Sequence, residues 1–154
     1  MKLRIYADTS VLGGCLDEEF STLSKRLIGE FRQGVKILAI SDLTLREIEN
    51  APEEVHHVLN TIPEVHKNYL SLDEESKLLA QQYIQDGAIS PKYIVDAQHI
   101  AIATIARVDV LVSWNFQHIV NLRRIHLYNA TNLKRGYPIL EIRSPREIID
   151  EEKR

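Results

Sequence analysis

Asp8, Glu47 and Asp96 are the residues of this chain whose types and placement could do chemistry together. Asp8 follows an alternating apolar stretch, Leu3 to Ala7, and Asp96 heads a segment that is apolar on nearly every side, Ala97 to Ala106. Glu47 lies shortly after a third apolar run, Ile37 to Ile40. Carboxylates gathered without basic partners repel one another, and their oxygens make a hard ligand set suited to Mg²⁺ or Mn²⁺. An ion on such a set can activate water and stabilise charge on a phosphodiester. Asn115 adds a neutral polar group where the run Val110 to Trp114 ends.

Each acid also has a purely structural reading. Asp8 can cap the turn at Thr9-Ser10. Thr44-Leu45-Arg46-Glu47 has the spacing of a capping box. Asp96 falls in a first helical turn, where the macrodipole favours an acid. Spacing alone leaves both readings open.

The elements that must position these residues follow from periodicity. Lys2 to Ala7 alternates as a strand, and Thr9 to Gly14 reads as a turn. Glu18 to Phe31 is an amphipathic helix through Phe20, Leu23, Leu27 and Phe31. Lys36 to Ile40 is a second strand, after which Ser41 or Asp42 caps a helix to about Asn50. Pro52 separates it from another helix through Ile62. Residues 66 to 72 read as an extended edge piece. Asp73 caps a helix to Asp86 that Gly87 ends. The helix carrying Asp96 is apolar all round, as a fully buried helix is, and Val110 to Trp114 suits a parallel strand covered on both faces. Ile125 to Tyr128 and Pro138 to Ile142 are further strand candidates. Ser144-Pro145-Arg146-Glu147 starts a short terminal helix. Strands alternating with helices predict one α/β domain over residues 1–149 with a mainly parallel sheet, and a charged, fraying tail over 150–154. In open α/β sheets sites lie at the carboxyl ends of the strands, which selects Asp8, the segment 41–47 and Asn115.

Composition narrows the function classes. The 154 residues carry 44% hydrophobic and 27% charged side chains, ordinary for a globular domain. No apolar run approaches a membrane span, and the expected setting is cytoplasmic. Cys15 is the single cysteine, so no internal disulfide can form, which fits a reducing compartment. A formal net charge of −3 argues against nucleic-acid binding by bulk attraction and requires a local patch or a metal ion instead. Asp8-Thr9-Ser10 lacks the second aspartate of a haloacid-dehalogenase-like site, and Gly13-Gly14 lacks the three spaced glycines of a dinucleotide fingerprint. The paired early acids of a receiver domain are missing, and the six histidines show no zinc-ligand spacing.

Four segments in order resemble the PIN domain: Tyr-Ala-Asp8-Thr-Ser-Val, Ser41-Asp-Leu-Thr-Leu-Arg-Glu47-Ile, Asp96-Ala-Gln-His-Ile-Ala-Ile-Ala and Leu-Val-Ser-Trp-Asn115-Phe. Within that family the chain looks most like the ribonuclease toxins of bacterial and archaeal toxin–antitoxin pairs. The resemblance covers essentially the whole chain and rests on the ordered set, since no single motif is specific. It implies a three-layer domain with a parallel sheet, acids clustered around Mg²⁺ or Mn²⁺ at its carboxyl edge, and endonucleolytic cleavage of RNA. Asp8 and Asp96 match the principal metal-binding acids, Glu47 the acid of the second helix, and Ser10 a small polar residue that supports the first aspartate. Asn115 departs from the pattern, where many members carry aspartate; it offers a neutral carbonyl oxygen but no charge. Asp109 sits at the other end of the same strand and cannot replace it. The alternative implied by that departure is a PIN-fold RNA- or partner-binding protein with little catalysis.

The resemblance further implies an antitoxin partner and a homodimer, bound through helices around Val55, Val58, Leu59 and Ile62, a stripe for which core packing is the favoured explanation. Lys134 and Arg135 beside Tyr137, with Arg123 and Arg124, form a candidate RNA-binding patch whose alternative is solvated surface charge.

Overall fold

A computed structural model describes residues 2–152, and side chains for residues 2–149. Five strands, β1 (Arg4–Ala7), β2 (Ile37–Ser41), β3 (Lys67–Leu70), β4 (Val110–Val112) and β5 (Ile142–Arg143), form one sheet in the order β3-β2-β1-β4-β5. Every pairing is parallel. β1 is central, with Ile5 paired to Leu38 on one side and to Val110 on the other.

Eight helices surround it: α1 (Thr9–Gly14), α2 (Ser21–Gln33), α3 (Asp42–Glu47), α4 (Glu53–Asn60), α5 (Glu74–Gln85), α6 (Ile94–Ile105), α7 (Leu122–Lys134) and α8 (Pro145–Glu152). Side chains alternate along a strand, so β1 feeds two cores. Ile5 and Ala7 pack with Leu12, Leu27, Phe31 and Val55, while Tyr6 faces Leu79, Ala97 and Ile100 on the opposite side. This is the three-layer α/β architecture the sequence predicts.

Several elements differ from the reading above. Thr9 to Gly14 is a helical turn, because Val11, Leu12 and Gly14 are buried on its inner side. Ile125 to Tyr128 lies within α7. Asn121 caps that helix by accepting from the Arg124 N–H at 3.1 Å, and the buried positions Tyr128, Thr131 and Asn132 recur at helical spacing. The last strand pairs only over Ile142–Arg143, since just before it the Leu140 N–H and carbonyl are both taken by the Asn129 side chain, at 2.7 and 3.1 Å. The edge piece at 66–72 is strand β3, and α3 ends at Glu47, well short of Asn50. Backbone helix continues through the first three residues of the charged tail, whose last two lie outside the described residues.

The predicted capping devices are present: Asp73 accepts from Ser76 N–H, Gly87 has φ 81°, and the Ser144 N–H reaches Glu147. Val55, Leu59 and Ile62 are buried, so that stripe is core. Among the described residues no helix is long and apolar enough to cross a membrane.

Candidate active site

Asp8 follows the last residue of β1 and is 5% exposed. Its carboxylate makes no capping bond to α1. Instead it accepts one hydroxyl on each oxygen, from Ser10 at 2.6 Å and Ser113 at 2.6 Å. Each serine is itself fixed by a backbone donor from the tail of β4: Trp114 N–H to Ser10 Oγ at 2.9 Å, and Asn115 N–H to Ser113 Oγ at 2.9 Å. The turn after β1 is thus tied to the end of β4 through the acid.

Glu47 ends α3 with its side chain about a third exposed. The capping-box alternative does not hold, because Thr44 N–H goes to Ser41 Oγ at 3.2 Å. Glu47 Oε1 accepts from Thr9 Oγ1 at 2.7 Å and lies 2.6 Å from His99 Nε2. His99, buried on α6, places Nδ1 2.6 Å from the Tyr6 hydroxyl, which lies 2.8 Å from Ser41 Oγ. An ionised carboxylate only accepts, so Nε2 carries a proton. With the ring neutral, Tyr6 donates to Nδ1 and accepts from Ser41; with the ring charged, both hydroxyls reverse. Every member is satisfied either way, and Glu47 is held in both states.

Asp96, in the first turn of α6, is more loosely held. Its Oδ2 meets Asn115 Nδ2 at 3.4 Å. The Asn115 carbonyl oxygen is occupied by the N–H groups of Gln117 (3.2 Å) and His118 (2.9 Å), so this residue shows Asp96 an amide donor. The His118 ring lies against Tyr93, centroids 3.8 Å apart, and its buried Nδ1 has no hydrogen-bond partner among the described residues.

The three acids share one field. Burial pushes the Asp8 carboxyl above its usual range and the Glu47 charge adds to this, against His99 and the two serines. Burial likewise raises Asp96, with Asp8 and Glu47 adding, against His118 and His99. For Glu47, burial acts upward but is overcome by the His99 hydrogen bond and charge and by Thr9, leaving it below the usual range. The donors suit a hard divalent ion: they are carboxylate oxygens with lone pairs to spare and unneutralised mutual repulsion. Among the described residues no three His, Cys, Asp or Glu side chains stand close enough to cage an ion. Such sites are common for Mg²⁺, which keeps several waters and needs only one or two carboxylates.

Lys134 and Arg135 are not brought to the acids. Lys134 pairs with Asp86 at 2.9 Å, and Arg135 donates to Gln82. Asp109 accepts from Arg4 N–H at 2.7 Å, at the amino end of β1, opposite Asp8. Four contributors were not read from the sequence as site residues: Tyr6, Thr9, Ser113 and, in its bond to Glu47, His99. The signal for His99 is its place three residues after Asp96, on the same face of one helix. The signal for Tyr6 is its alternation away from Ile5 and Ala7 toward that helix.

No protein-family model matches the chain, and no curated protein sequence does. Solved structures do. The VapC20 toxin of Mycobacterium tuberculosis, described as cleaving the sarcin-ricin loop, superposes with a TM-score of 0.57 at 12% identity, over 74% of this chain and 92% of that one. VapBC2 from Rickettsia felis, solved with a DNA fragment from its promoter, gives 0.59 at 11% identity, over 92% and 98%. At such identities the likeness is one of architecture, and in architecture this chain is a PIN-like α/β domain of the kind seen in VapC toxins.

Proposed function

We propose that the chain is a metal-dependent endoribonuclease and the toxin of a toxin–antitoxin pair. The observation that carries this is geometric: Ser10 and Ser113 bond Asp8, Thr9 beside Ser10 bonds Glu47, and Asn115, two residues after Ser113, bonds Asp96, so the three acids hang on the same two turns at the carboxyl edge of a PIN-like sheet. Both structural neighbours named above are toxins or toxin–antitoxin assemblies, which supports an antitoxin partner and an RNA substrate. Asp8 and Asp96 would hold Mg²⁺ or Mn²⁺, with Glu47 acting directly or through water. Bound there, such an ion supplies a Lewis acid and a water of lowered pKa. The protein's own residues fix the acids. Ser10 and Ser113 hold Asp8 to one rotamer, Thr9 and His99 do the same for Glu47, and the Asn115 amide turns toward Asp96. The free, buried Cys15 suits a reducing, cytoplasmic setting.

One observation favours a second reading, an RNA- or partner-binding protein with little catalysis. The carbonyl oxygen of Asn115 is taken by two backbone donors, so the fourth position offers the site no free oxygen through that group.

Purified protein incubated with single-stranded and structured RNAs, with Mn²⁺ or with chelator, separates the two. Cleavage should require the metal and fall at least about a hundredfold in Asp8→Asn, because several kcal/mol of charge stabilisation is lost. Cleavage that survives both chelation and Asp8→Asn would sink the ribonuclease reading; RNA binding without metal-stimulated cleavage would establish the second.

A further inference from the structure

Beside the acids stands a group of three aromatic rings. Phe20 lies flat on Trp114, with centroids 4.2 Å apart and planes within 16° of parallel. Phe116 sits edge-on to Trp114 at 6.1 Å and tilted to Phe20 at 6.5 Å. Trp114 is buried, yet Phe116 is 49% exposed. The ledge has little slack. Trp114 Nε1 donates to Ser24 Oγ at 2.8 Å, and a Cβ at Gly14 would come within 2.6 Å of that oxygen and 2.9 Å of Nε1.

A cavity of about 280 Å³ opens in front of these rings, walled by Ser10, Gly13, Asp17, Phe20, Trp114 and Asn115 among others. Phe116 does not line the cavity itself; its exposed ring touches Phe20 and Trp114, which do. Ser10 and Asn115, two residues of its wall, are bonded to Asp8 and Asp96, so an occupant of the cavity is one side chain away from each carboxylate. Among the described residues its wall carries an acid, Asp17, and no cation. A polyanion cannot be held there by phosphate attraction. Base stacking on an aromatic face works without charge and tolerates any sequence.

We infer that Phe116, backed by Phe20 and Trp114, is a nucleobase subsite that stacks one base of a single-stranded RNA and so sets an adjoining phosphodiester at the acids. The identity of the substrate rests on the ribonuclease reading; capture of the base does not need the metal.

Trp114 is the only tryptophan, so its fluorescence reports on the ledge directly. The full chain, in chelator, is titrated with a single-stranded RNA pentanucleotide and with an abasic ribose-phosphate oligomer of equal length. The RNA should give a saturable change, with the abasic oligomer weaker by roughly five- to a hundredfold, the range one stacked base supplies. Phe116→Ala, with an unchanged melting temperature, should bring the RNA to the abasic level, and Phe116→Tyr should restore it. Equal affinity for the two oligomers, or an unaltered titration in Phe116→Ala, overturns the subsite. In cleavage assays Phe116→Ala should raise KM and leave kcat, as loss of uniform binding does. The wild type assayed with Mn²⁺ separates the two ideas. RNA bound through Phe116 by a wild-type chain that does not cleave in Mn²⁺ keeps the subsite and sinks the ribonuclease reading. Metal-dependent cleavage with a KM indifferent to Phe116→Ala does the reverse.

Discussion

The site has a built half and an open half. Around Asp8 and Glu47, each bonded carboxylate oxygen has short partners between 2.6 and 2.7 Å, supplied by Ser10, Ser113, Thr9 and His99. Around Asp96, the bond to Asn115 stretches to 3.4 Å and His118 Nδ1 has no partner among the described residues. The first half is pre-organised and resists change. The second half is where charge is uncompensated and where a ligand has most to add. Buried networks that are fully satisfied rigidify a fold, and partly satisfied ones store cost at the place of function.

Breaking the built half should have the largest effect. His99→Ala leaves the Tyr6 hydroxyl buried with one partner fewer, removes a donor from Glu47 and opens a void. It should lower stability by about 2–5 kcal/mol, measured by denaturant unfolding. Activity should fall about 10- to 100-fold, as when an outer-shell partner is removed. His99→Gln, which can still donate and accept, should recover part of both. A stability loss with unchanged activity would make the network purely structural.

Asn115→Asp tests the open half with an intermediate effect. The new carboxylate can still accept both backbone N–H groups, but it loses the donor to Asp96 and sets a like charge against it. In chelator the variant should be less stable by about 1 kcal/mol. Its melting temperature should respond to Mn²⁺ more strongly than that of the wild type. A smaller response would mean that Asp96 does not bind the ion.

Asp96→Asn should give the smallest change, and its sign carries the information. The folded state raises the Asp96 pKa, so the protonated form is favoured and stability falls as pH rises through the unfolded and then the folded value. Removing the charge should therefore change little at pH 3 and stabilise the metal-free protein near neutrality. Because Asp96 is partly exposed and screened, the gain is only about 0.5–1 kcal/mol. The metal response should vanish with it. If the carboxylate mainly serves the helix dipole, thermal unfolding will instead show the asparagine variant as the less stable one.

Much of this was legible in the residues. The largely apolar segment 97–106 did become a buried helix, and Asp8 does stand at the carboxyl end of β1. Locally encoded signals carried well, such as Asp73 and Gly87 at the ends of α5. Alternation misled at Ile125 to Tyr128, where Ile125 and Tyr128 are three apart and so share one side of a helix that Asn121 caps. Hydrogen-bond chains were out of reach. Tyr6, Ser41, His99 and Glu47 are linked only after four elements pack, and no spacing rule records a contact across 93 positions.

Asp8 is braced by Ser113, a partner 105 positions away, and β1 lies between one strand made early and another made late. During synthesis at about 5–20 residues per second, the first strands emerge seconds before the fourth exists. A nascent chain therefore carries an unbraced Asp8, with no Asp96 beside it, until well over half of the 154 residues have been translated. On the proposed activity, the ribosome making this protein meets a competent nuclease only after β4 and Ser113 have emerged. That leaves an interval in which a co-translated partner can arrive first.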